Sequence, residues 1–219
     1  MEIIFMKIII LLTILTTFFA NASSENTGFL FKINGGTLGC TASHLSGGLV
    51  FVTAGHCIKK NDPSPMYLYM GENPQAESIN KDDVYEVRKA FKYPFSVNEK
   101  NWHQGDDIAF ILLKRKVPNL SDATRSSIKI KSGSTLEAYG YRGAKKKERK
   151  VISSKDYYKS VFEVTCRNCG HGDSGMGVYF NGQILGVYSV IFKNKHYIAP
   201  IEQNHIDWFT RQLGAYLQL

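Results

Sequence analysis

The sequence lacks internal repeats, low-complexity tracts and linkers rich in proline or serine. Hydrophobic residues make up 43% of the 219-residue chain, which is enough to bury a substantial core and excludes disorder as the default state. We therefore expect one folded domain that runs from Ser23 to Leu219.

Cysteine is scarce, since the chain has only four. Cys166 and Cys169 form a C-x-x-C, but no second such pair and no suitably placed histidine would complete four zinc ligands. A redox role would need a βαβ context, which the sequence does not have. We expect no metal and no cofactor. A Cys166–Cys169 bridge and two free thiols are both open alternatives.

Acidic residues are also scarce relative to basic ones, with 19 Asp and Glu against 27 Lys and Arg, and the formal net charge is +8. Much of the excess lies in RGAKKKERK, residues 142–150. Such a run is most often a solvated loop, and the alternative is a surface that attracts an acidic partner. We expect no specific nucleic-acid partner.

Long apolar runs are absent except for Ile8 to Ala20, which follows Lys7 and ends in the small residues of Ala20-Asn21-Ala22. This pattern predicts a signal peptide over residues 1–22. A membrane anchor is the alternative, but the run is shorter than the roughly 20 apolar residues that a spanning helix needs. We expect a secreted or periplasmic protein without a transmembrane anchor, in a compartment that allows disulfides.

Short apolar runs separated by turn residues dominate the rest of the chain, and their β-branched and aromatic residues are typical of strands. The runs are GFLFKI, LVFVTA, YEVRKAF, DIAFILLK, TLEAYGY, MGVYF and ILGVYSVIF. Asn181-Gly182, between the last two, predicts a two-residue hairpin turn.

The C-terminal segment has a different period. Hydrophobic residues recur at helical spacing from Ile206 to Leu217, with Asn204 as the expected N-cap. The whole pattern predicts an all-β body, built as barrels or a sandwich, that is closed by one C-terminal helix.

Three stretches carry residues suited to nucleophilic catalysis: VTAGHC at 52–57, GDDIAFILL at 105–113 and GHGDSGMG at 170–177. Each alone is a weak signal, because a histidine after a strand, an aspartate before an apolar run and a Gly-Asp-Ser-Gly loop are common structural features. Together they supply a hydroxyl, a base to take its proton and a carboxylate to orient the base.

These motifs resemble those of the trypsin/chymotrypsin-like serine peptidases. CTASHLSGGLVFVTAGHC is similar to the strands around the family's base, DDIAFILLK to its carboxylate strand, GDSGMGVYFNGQILGVYSV to its nucleophile loop and next hairpin, and HIDWFTRQL to its closing helix. The resemblance covers nearly the whole chain after residue 22. It implies two six-stranded antiparallel β-barrels with a C-terminal helix and an active site between the barrels.

By this resemblance, His56 is the general base, Asp107 the orienting carboxylate and Ser174 the nucleophile. Asp106 is the competing candidate for the carboxylate. Ser189 is similar to the serine that lines the cleft and supports the buried carboxylate.

The resemblance also implies features of the backbone around these residues. The N–H groups of Gly172 and Ser174 would form the oxyanion hole, where glycine allows the backbone conformation that turns both amides inward. Cys40 and Cys57 would form a disulfide that ties the loop of the base to a neighbouring strand.

The chain departs from the family at the activation site. Many members mature by a cut before Ile-Val-Gly-Gly, and the new amine pairs with the aspartate beside the nucleophile; Lys32 followed by INGG resembles that site. Only 23 positions separate Ile33 from His56, which is too few for an activation segment and two strands. We interpret GFLFKI as the first barrel strand and residues 34–36 as a hairpin loop. Asp173 then needs another cation, for which Arg142 is the candidate.

The substrate pocket is a second departure. Asn168 stands where trypsin-like relatives have a pocket-floor aspartate, and Ile191 stands where open pockets have glycine. With Ser189 as a third pocket residue, this predicts a preference for small or medium uncharged side chains.

An acidic loop and five histidines are the remaining candidates for metal ligands. An acidic loop corresponds to one that binds calcium in some relatives, but exposed acidic loops are common, and no metal is expected. Its residues are Glu72, Glu77, Asp82 and Asp83. The histidines outside the VTAGHC motif have no ligand spacing and are expected to be surface or structural residues, with His171 near the substrate. They are His44, His103, His171, His196 and His205.

The expected function is that of a secreted, monomeric serine endopeptidase that cleaves protein or peptide substrates through an acyl-enzyme. The alternative is a catalytically silent homologue that keeps the fold as a binding module. Met176-Gly177 leaves this alternative open, because it replaces the Gly-Pro that usually follows the nucleophile.

Overall fold

The computed structural model describes residues 24–32, 39–59, 64–76, 78–94, 106–126, 130–145, 147–158 and 161–218. The predicted signal peptide, residues 1–22, and the predicted hairpin loop at residues 34–36 lie outside these ranges.

The first six strands form one closed barrel. They are β1 (Thr27–Lys32), β2 (Cys40–Ser46), β3 (Val50–Ala54), β4 (Met66–Tyr69), β5 (Val84–Lys92) and β6 (Ile108–Leu113). The strands close in the antiparallel order β1-β2-β3-β6-β5-β4. Because β1 pairs with both β2 and β4, the interpretation of GFLFKI as the first barrel strand is confirmed for Thr27–Lys32.

The next six strands form a second closed barrel. They are β7 (Thr135–Gly140), β8 (Glu148–Tyr158), β9 (Val161–Cys166), β10 (Gly177–Phe180), β11 (Gln183–Phe192) and β12 (Lys195–Pro200). Their antiparallel order is β10-β11-β12-β9-β8-β7. The prediction of two six-stranded antiparallel barrels is therefore confirmed.

The hairpin between β10 and β11 forms where the sequence predicts it. Asn181 and Gly182 both have positive φ, at 49° and 76°, as a two-residue hairpin turn of this kind requires. This turn fixes the register in which β10, directly after the Gly-Asp-Ser-Gly segment, pairs with β11.

The C-terminal helix α1 (Gln203–Leu217) packs on the first barrel. The Phe209 ring lies 5.4 Å from that of Phe91 and 4.5 Å from that of Phe110. The N-cap is Glu202 and not Asn204 as predicted, because the Glu202 N–H donates to His205 Nδ1 in a capping box. Among the described residues, no helix has the length and hydrophobicity needed to cross a bilayer.

The basic segment, residues 142–150, is not a solvated loop along its whole length. Residues 142–144 form a short 3-10 turn, and the last three residues begin β8. Strand alternation then turns Lys150 inward on the same face as Ile152, while Val151 between them is 60% exposed. The expectation of a solvated loop is wrong for the end of the segment, because β-pairing with β7 takes it into the second barrel.

Both cysteine pairs form disulfides. Cys40–Cys57 joins β2 to the 3-10 turn after β3. Cys166–Cys169 closes the turn after β9, so the structure selects the bridge over two free thiols. All four cysteines are buried, two with each barrel core.

Candidate active site

His56 and Asp107 meet at one end of the first barrel, because their strands are neighbours. His56 lies in the turn after β3 and Asp107 directly precedes β6, and Ala54 pairs with Ile108 at this end. His56 Nδ1 lies 2.7 Å from Asp107 Oδ2, and the His56 backbone N–H donates to Oδ1 at 2.8 Å. An ionised carboxylate can only accept, so this contact places the ring proton on Nδ1 and leaves a lone pair on Nε2.

The environment of Asp107 keeps it ionised. Burial of this carboxyl raises its pKa, but hydrogen bonds from His56 and from the Ser189 hydroxyl oppose burial, and the net pKa lies below the ordinary value. Ser189 Oγ donates to Asp107 Oδ2 at 2.5 Å, so Ser189 contacts the carboxylate as the resemblance implied.

Asp106 has a different partner. His205 is buried, and its Nδ1 accepts a hydrogen bond from Glu202, so the proton lies on Nε2, which donates to Asp106 Oδ1 at 3.1 Å. Asp106 thus connects to helix α1, whereas Asp107 faces His56. The geometry favours Asp107 over Asp106 as the carboxylate that orients the base.

Ser174 lies on the second barrel and faces the first. Its carbonyl accepts the Thr41 N–H at 2.8 Å, and its hydroxyl donates to the Ser189 carbonyl at 3.3 Å. Ser174 and His56 line one cavity of about 410 Å³. In the described part of the chain no hydrogen bond joins Ser174 Oγ to His56 Nε2, so a proton transfer between these two atoms would require the hydroxyl to rotate away from the Ser189 carbonyl.

Hydrogen bonds to two carbonyls near Ser174 set the directions of the N–H groups of Gly172 and Ser174. The Gly143 N–H donates to the His171 carbonyl at 2.6 Å, and the Met176 N–H donates to the Asp173 carbonyl at 3.0 Å. Because C=O and N–H point in opposite directions across a trans peptide, these bonds turn the N–H groups of Gly172 and Ser174 the other way. Neither N–H donates to an acceptor within the described ranges.

Glycine is required at position 172. Its φ is +98°, and a Cβ there would lie 2.3 Å from the Tyr141 carbonyl oxygen. A side chain would therefore be strained and would clash with backbone. The Thr41 hydroxyl also donates to the Gly172 carbonyl at 2.7 Å, which fixes the segment from the first barrel.

The family model for trypsin matches residues 20–201 of this chain. This chain belongs to the trypsin family. It is a serine-type endopeptidase, and its substrates are peptides. No curated protein sequence matches it at a significant level.

Solved structures of trypsin-like proteins share the fold at low sequence identity. Human heparin binding protein has a TM-score of 0.68 at 12% identity, over 88% of this chain and 93% of that one. A Glu endopeptidase has a TM-score of 0.68 at 14% identity, over 90% and 94%. The Rv3671c protease of M. tuberculosis, in an inactive form, has a TM-score of 0.61 at 15% identity, over 88% and 91%.

In this trypsin-family chain the cation beside Asp173 is Lys150. Both side chains are fully buried, and Lys150 Nζ lies 3.9 Å from Asp173 Oδ2. Lys150 also donates to Glu148 Oε2 and to the Asn168 carbonyl, each at 2.9 Å. Burial raises the pKa of Asp173 to about 6, against the opposing charge of Lys150 and a hydrogen bond from the Gly170 N–H.

Arg142, the cation expected from the sequence, does not make the ion pair with Asp173. It is exposed and acts on Asp173 only through a longer-range attraction. The phase of β8 explains the difference, because alternation carries the Lys150 side chain into the barrel interior.

Two of the three residues predicted to form the substrate pocket, Asn168 and Ile191, do not line the cavity that holds Ser174. Asn168 is exposed and lines a separate depression with Arg142 and Glu148, and Ile191 is 41% exposed. Ser189 is buried against Asp107. Their roles in substrate binding stay predictions.

Tyr188 occupies the interior behind the nucleophile. It is buried in the second barrel core, its carbonyl accepts the Gly175 N–H at 2.7 Å, and its hydroxyl lies 2.5 Å from His196 Nδ1. Tyr188 lies within the predicted strand ILGVYSVIF, and the sequence indicated no role for it.

One of the histidines outside the VTAGHC motif lies at the cavity. His171 is exposed and lines the cavity with Ser174. His44 is buried and bonded to the Ser121 carbonyl and the Gly48 N–H, and burial lowers its pKa. These positions agree with the expected structural role for His44 and cleft position for His171, whereas His103 lies outside the described residues.

The acidic loop forms no ligand cluster in the part of the chain that the structure describes. Glu72 lies 3.8 Å from Lys147 Nζ, and Glu77 lies outside the described residues. The one described group of clustered ligand atoms is Cys40, His56 and Cys57, in which both sulfurs are tied in a disulfide.

Sequence reasoning missed the contacts that join the nucleophile segment to the first barrel. Besides Thr41, the Ser43 hydroxyl accepts the Gly177 N–H at 2.6 Å. Gly175 has a φ of +88°, and a Cβ there would lie 2.2 Å from the Thr41 carbonyl. Met176 is fully buried in the second barrel core. The sequence signal for these contacts was a pair of small polar residues, Thr41 and Ser43, within three positions of Cys40.

Proposed function

We propose that this protein hydrolyses peptide bonds by a Ser-His-Asp mechanism with an acyl-enzyme intermediate. The observation that carries the proposal is the 2.7 Å contact that fixes the His56 tautomer, at the edge of the same cavity that holds Ser174. In this tautomer the free Nε2 lone pair of His56 is available to the Ser174 hydroxyl.

The first half of the reaction forms the acyl-enzyme. Ser174 Oγ attacks the substrate carbonyl as its proton passes to His56 Nε2, and the negative oxygen accepts hydrogen bonds from the Gly172 and Ser174 N–H groups. His56 then gives the proton to the leaving amine as the C–N bond breaks. Asp107, held by Ser189, stabilises the imidazolium that exists between these two transfers.

The second half releases the product. A water molecule attacks the acyl carbonyl and passes a proton to His56, and the Ser174 oxygen leaves with the proton that His56 returns. The same two N–H groups stabilise the second tetrahedral intermediate.

We propose that the acyl side of the substrate carries a small or medium uncharged side chain. Support comes from Tyr188, which fills space behind Ser174, and from the absence of an acidic side chain at Asn168. The Ile191 side chain would narrow the space along β11 through which the substrate side chain on the acyl side reaches its pocket.

We propose that the chain is exported and that residues 1–22 are removed as a signal peptide. Support comes from the apolar run at 8–20 and from two disulfides, which persist in oxidising compartments. The silent-homologue alternative is less well supported, because no member of the His56, Asp107 and Ser174 set is missing and Met176 is accommodated in the core.

A fluorophosphonate probe tests the mechanism directly. The mature wild-type protein should be labelled at Ser174 and should cleave a peptide library, whereas Ser174→Ala should do neither. Ser153→Ala, at an exposed serine of β8, is the matched control and should behave as the wild type. If folded wild-type protein stays unlabelled at Ser174 and leaves the peptide library uncleaved, the result contradicts the proposed mechanism.

A further inference from the structure

The basic segment, residues 142–150, contains cations with different surroundings. Lys150 is buried beside Asp173, and Lys147 is buried beside Glu72. Arg149 forms an ion pair with Glu137. Arg142 and Lys145 are exposed and form no ion pair with any residue that the structure describes. Lys146 lies outside the described ranges.

Arg142 and Lys145 face a common depression next to the active-site cavity. The depression has a volume of about 520 Å³, and its wall includes both cations together with Gly143, Glu148 and Asn168. Gly143 also lines the cavity that holds Ser174, so the two spaces share a wall. An extended substrate that left the cavity past Gly143 would enter this depression.

The charge in the depression is positive. Glu148 is the one acidic residue among its described lining residues. A hydrogen bond and charge from Lys150 lower its pKa most, and the charges of Arg142 and Lys145 lower it further, so it stays ionised. Glu148 hydrogen-bonds to Lys150, and neither Arg142 nor Lys145 forms an ion pair with Glu148 or with another residue in the described ranges, so the two cations outnumber the one carboxylate that they share. A carboxylate is the complementary group for such a pair.

The two cations are held in place relative to the reacting centre. The Gly143 N–H is bonded to the His171 carbonyl at 2.6 Å, and the Lys145 N–H to the Arg142 carbonyl at 3.2 Å. Arg142 also packs against Gly170, where an added Cβ would lie 3.1 Å from its Nε atom. The turn that carries both charges is therefore anchored to the segment that supplies the oxyanion N–H groups.

We propose that Arg142 and Lys145 form a subsite for acidic side chains on the leaving-group side of the scissile bond, within its first three residues. The inference rests on the proposed peptidase function. Three extended residues span about 10 Å, so the subsite lies close to the cleavage point. The leaving-group side is favoured because the cavity that meets the depression at Gly143 is lined by Gly39, Cys40 and His56, whereas Ile191, proposed for the acyl side, lines neither space. Asn168 lines the depression, where its carbonyl accepts a hydrogen bond from Lys150.

Quenched-fluorescence peptides test this subsite. The series keeps the acyl side constant and places Glu, Ala or Lys at each of the first three leaving-side positions. The mature wild-type enzyme should cleave at least one Glu peptide about three- to tenfold faster in kcat/KM than its Ala counterpart, and the Lys counterpart more slowly. The Glu advantage should shrink in 0.5 M NaCl, with the Debye length then about 4 Å.

The variant Arg142→Ala/Lys145→Ala should lose the Glu advantage. In this variant the ratio of kcat/KM for the Glu peptide to that for the Ala peptide should fall to about 1, and a p-nitroanilide with the same acyl side, which has no leaving-side residues, measures any general loss of activity separately. Lys131→Ala, at an exposed lysine of the second barrel, is the matched control and should keep the Glu advantage.

The outcomes separate the subsite from the peptidase function. If the Ala peptides are cleaved and Glu gives no advantage, or if the double variant keeps the advantage, the subsite proposal is overturned and the peptidase proposal stands. If no peptide is cleaved and Ser174 is not labelled by the fluorophosphonate, both proposals fail together.

Discussion

The two barrels contribute to the site in different ways. The first barrel positions His56 through direct bonds to the Asp107 side chain, next to a core rich in aromatic rings. The second barrel positions Ser174 through backbone bonds and a buried ion pair between Lys150 and Asp173. The proposed base is thus aligned by a carboxylate, whereas the position of the proposed nucleophile depends on the conformation of a loop. Substitutions at Asp107 in the first barrel should therefore change kcat, whereas substitutions at Lys150 in the second barrel should change stability and the pH dependence of activity.

The largest expected effect is on the first barrel. Asp107→Asn should lower kcat by about 10⁴-fold, because an amide donor at this position favours the wrong His56 tautomer, as it does in the type case of the triad. Asp106→Asn is the matched control and should change kcat by less than about tenfold, since Asp106 contacts His205. Steady-state kinetics on one peptide measures both. Equal losses in the two variants would contradict the assignment of Asp107.

The next effect is on the buried ion pair of the second barrel. Lys150→Met should lower the free energy of unfolding by about 3 to 5 kcal/mol, because it leaves Asp173 buried without its counter-charge. Denaturant titration measures this. Lys155→Met is the matched control in the same strand, since Lys155 is exposed and pairs with Glu163 at 3.5 Å, and it should cost at most about 1 kcal/mol.

The same variant has a pH signature. Burial raises the pKa of Asp173 to about 6, and Lys150 opposes that rise, so removing Lys150 should raise the pKa further. If ionised Asp173 holds the oxyanion segment in place, activity is lost as pH falls through this pKa. The acid limb of the fluorophosphonate labelling rate should therefore move to higher pH in Lys150→Met. If the acid limb of the labelling rate lies at the same pH in Lys150→Met and in the wild type, the ionisation of Asp173 does not control the conformation of the loop.

The disulfides give the smallest contrast between the barrels. Cys40–Cys57 closes a sequence separation of 17 and Cys166–Cys169 one of 3, so in the chain-entropy model they contribute about 3 and about 2 kcal/mol. Replacing each pair by serines and measuring unfolding by guanidinium tests the order. A larger loss for the Cys166–Cys169 pair would indicate that the native loop, more than the unfolded chain, determines its contribution.

Local patterns predicted an all-β body with a C-terminal helix, and the family resemblance predicted the two six-stranded barrels and assigned roles to His56, Asp107 and Ser174, which stay predictions. Alternating apolar runs located β3, β6 and the hairpin between β10 and β11, and motif order identified His56, Asp107 and Ser174. These features depend on residues close in sequence, such as the positive φ values at Asn181 and Gly182.

The supporting contacts were not predictable in the same way. Lysine is almost never fully buried unless paired, so a basic run gives no sign that Lys150 points inward. Thr41 contacts Gly172 across a separation of 131 residues, and this contact exists only once the barrels are docked. The substrate-pocket residues were assigned by correspondence with the family alone, and the shortened Cys166–Cys169 turn changes the backbone on which that correspondence depends.

The hydrogen bonds from Thr41 to Ser174 and from Gly177 to Ser43 cross between the barrels. The segment that carries Gly172 and Ser174 belongs to the second half of the molecule but takes part of its support from the first barrel. Fragments cut in the connection between β6 and β7 would be inert when separate, and hydrolysis would return only on their reassociation. The enzyme's own turnover would then report how tightly its two halves hold together.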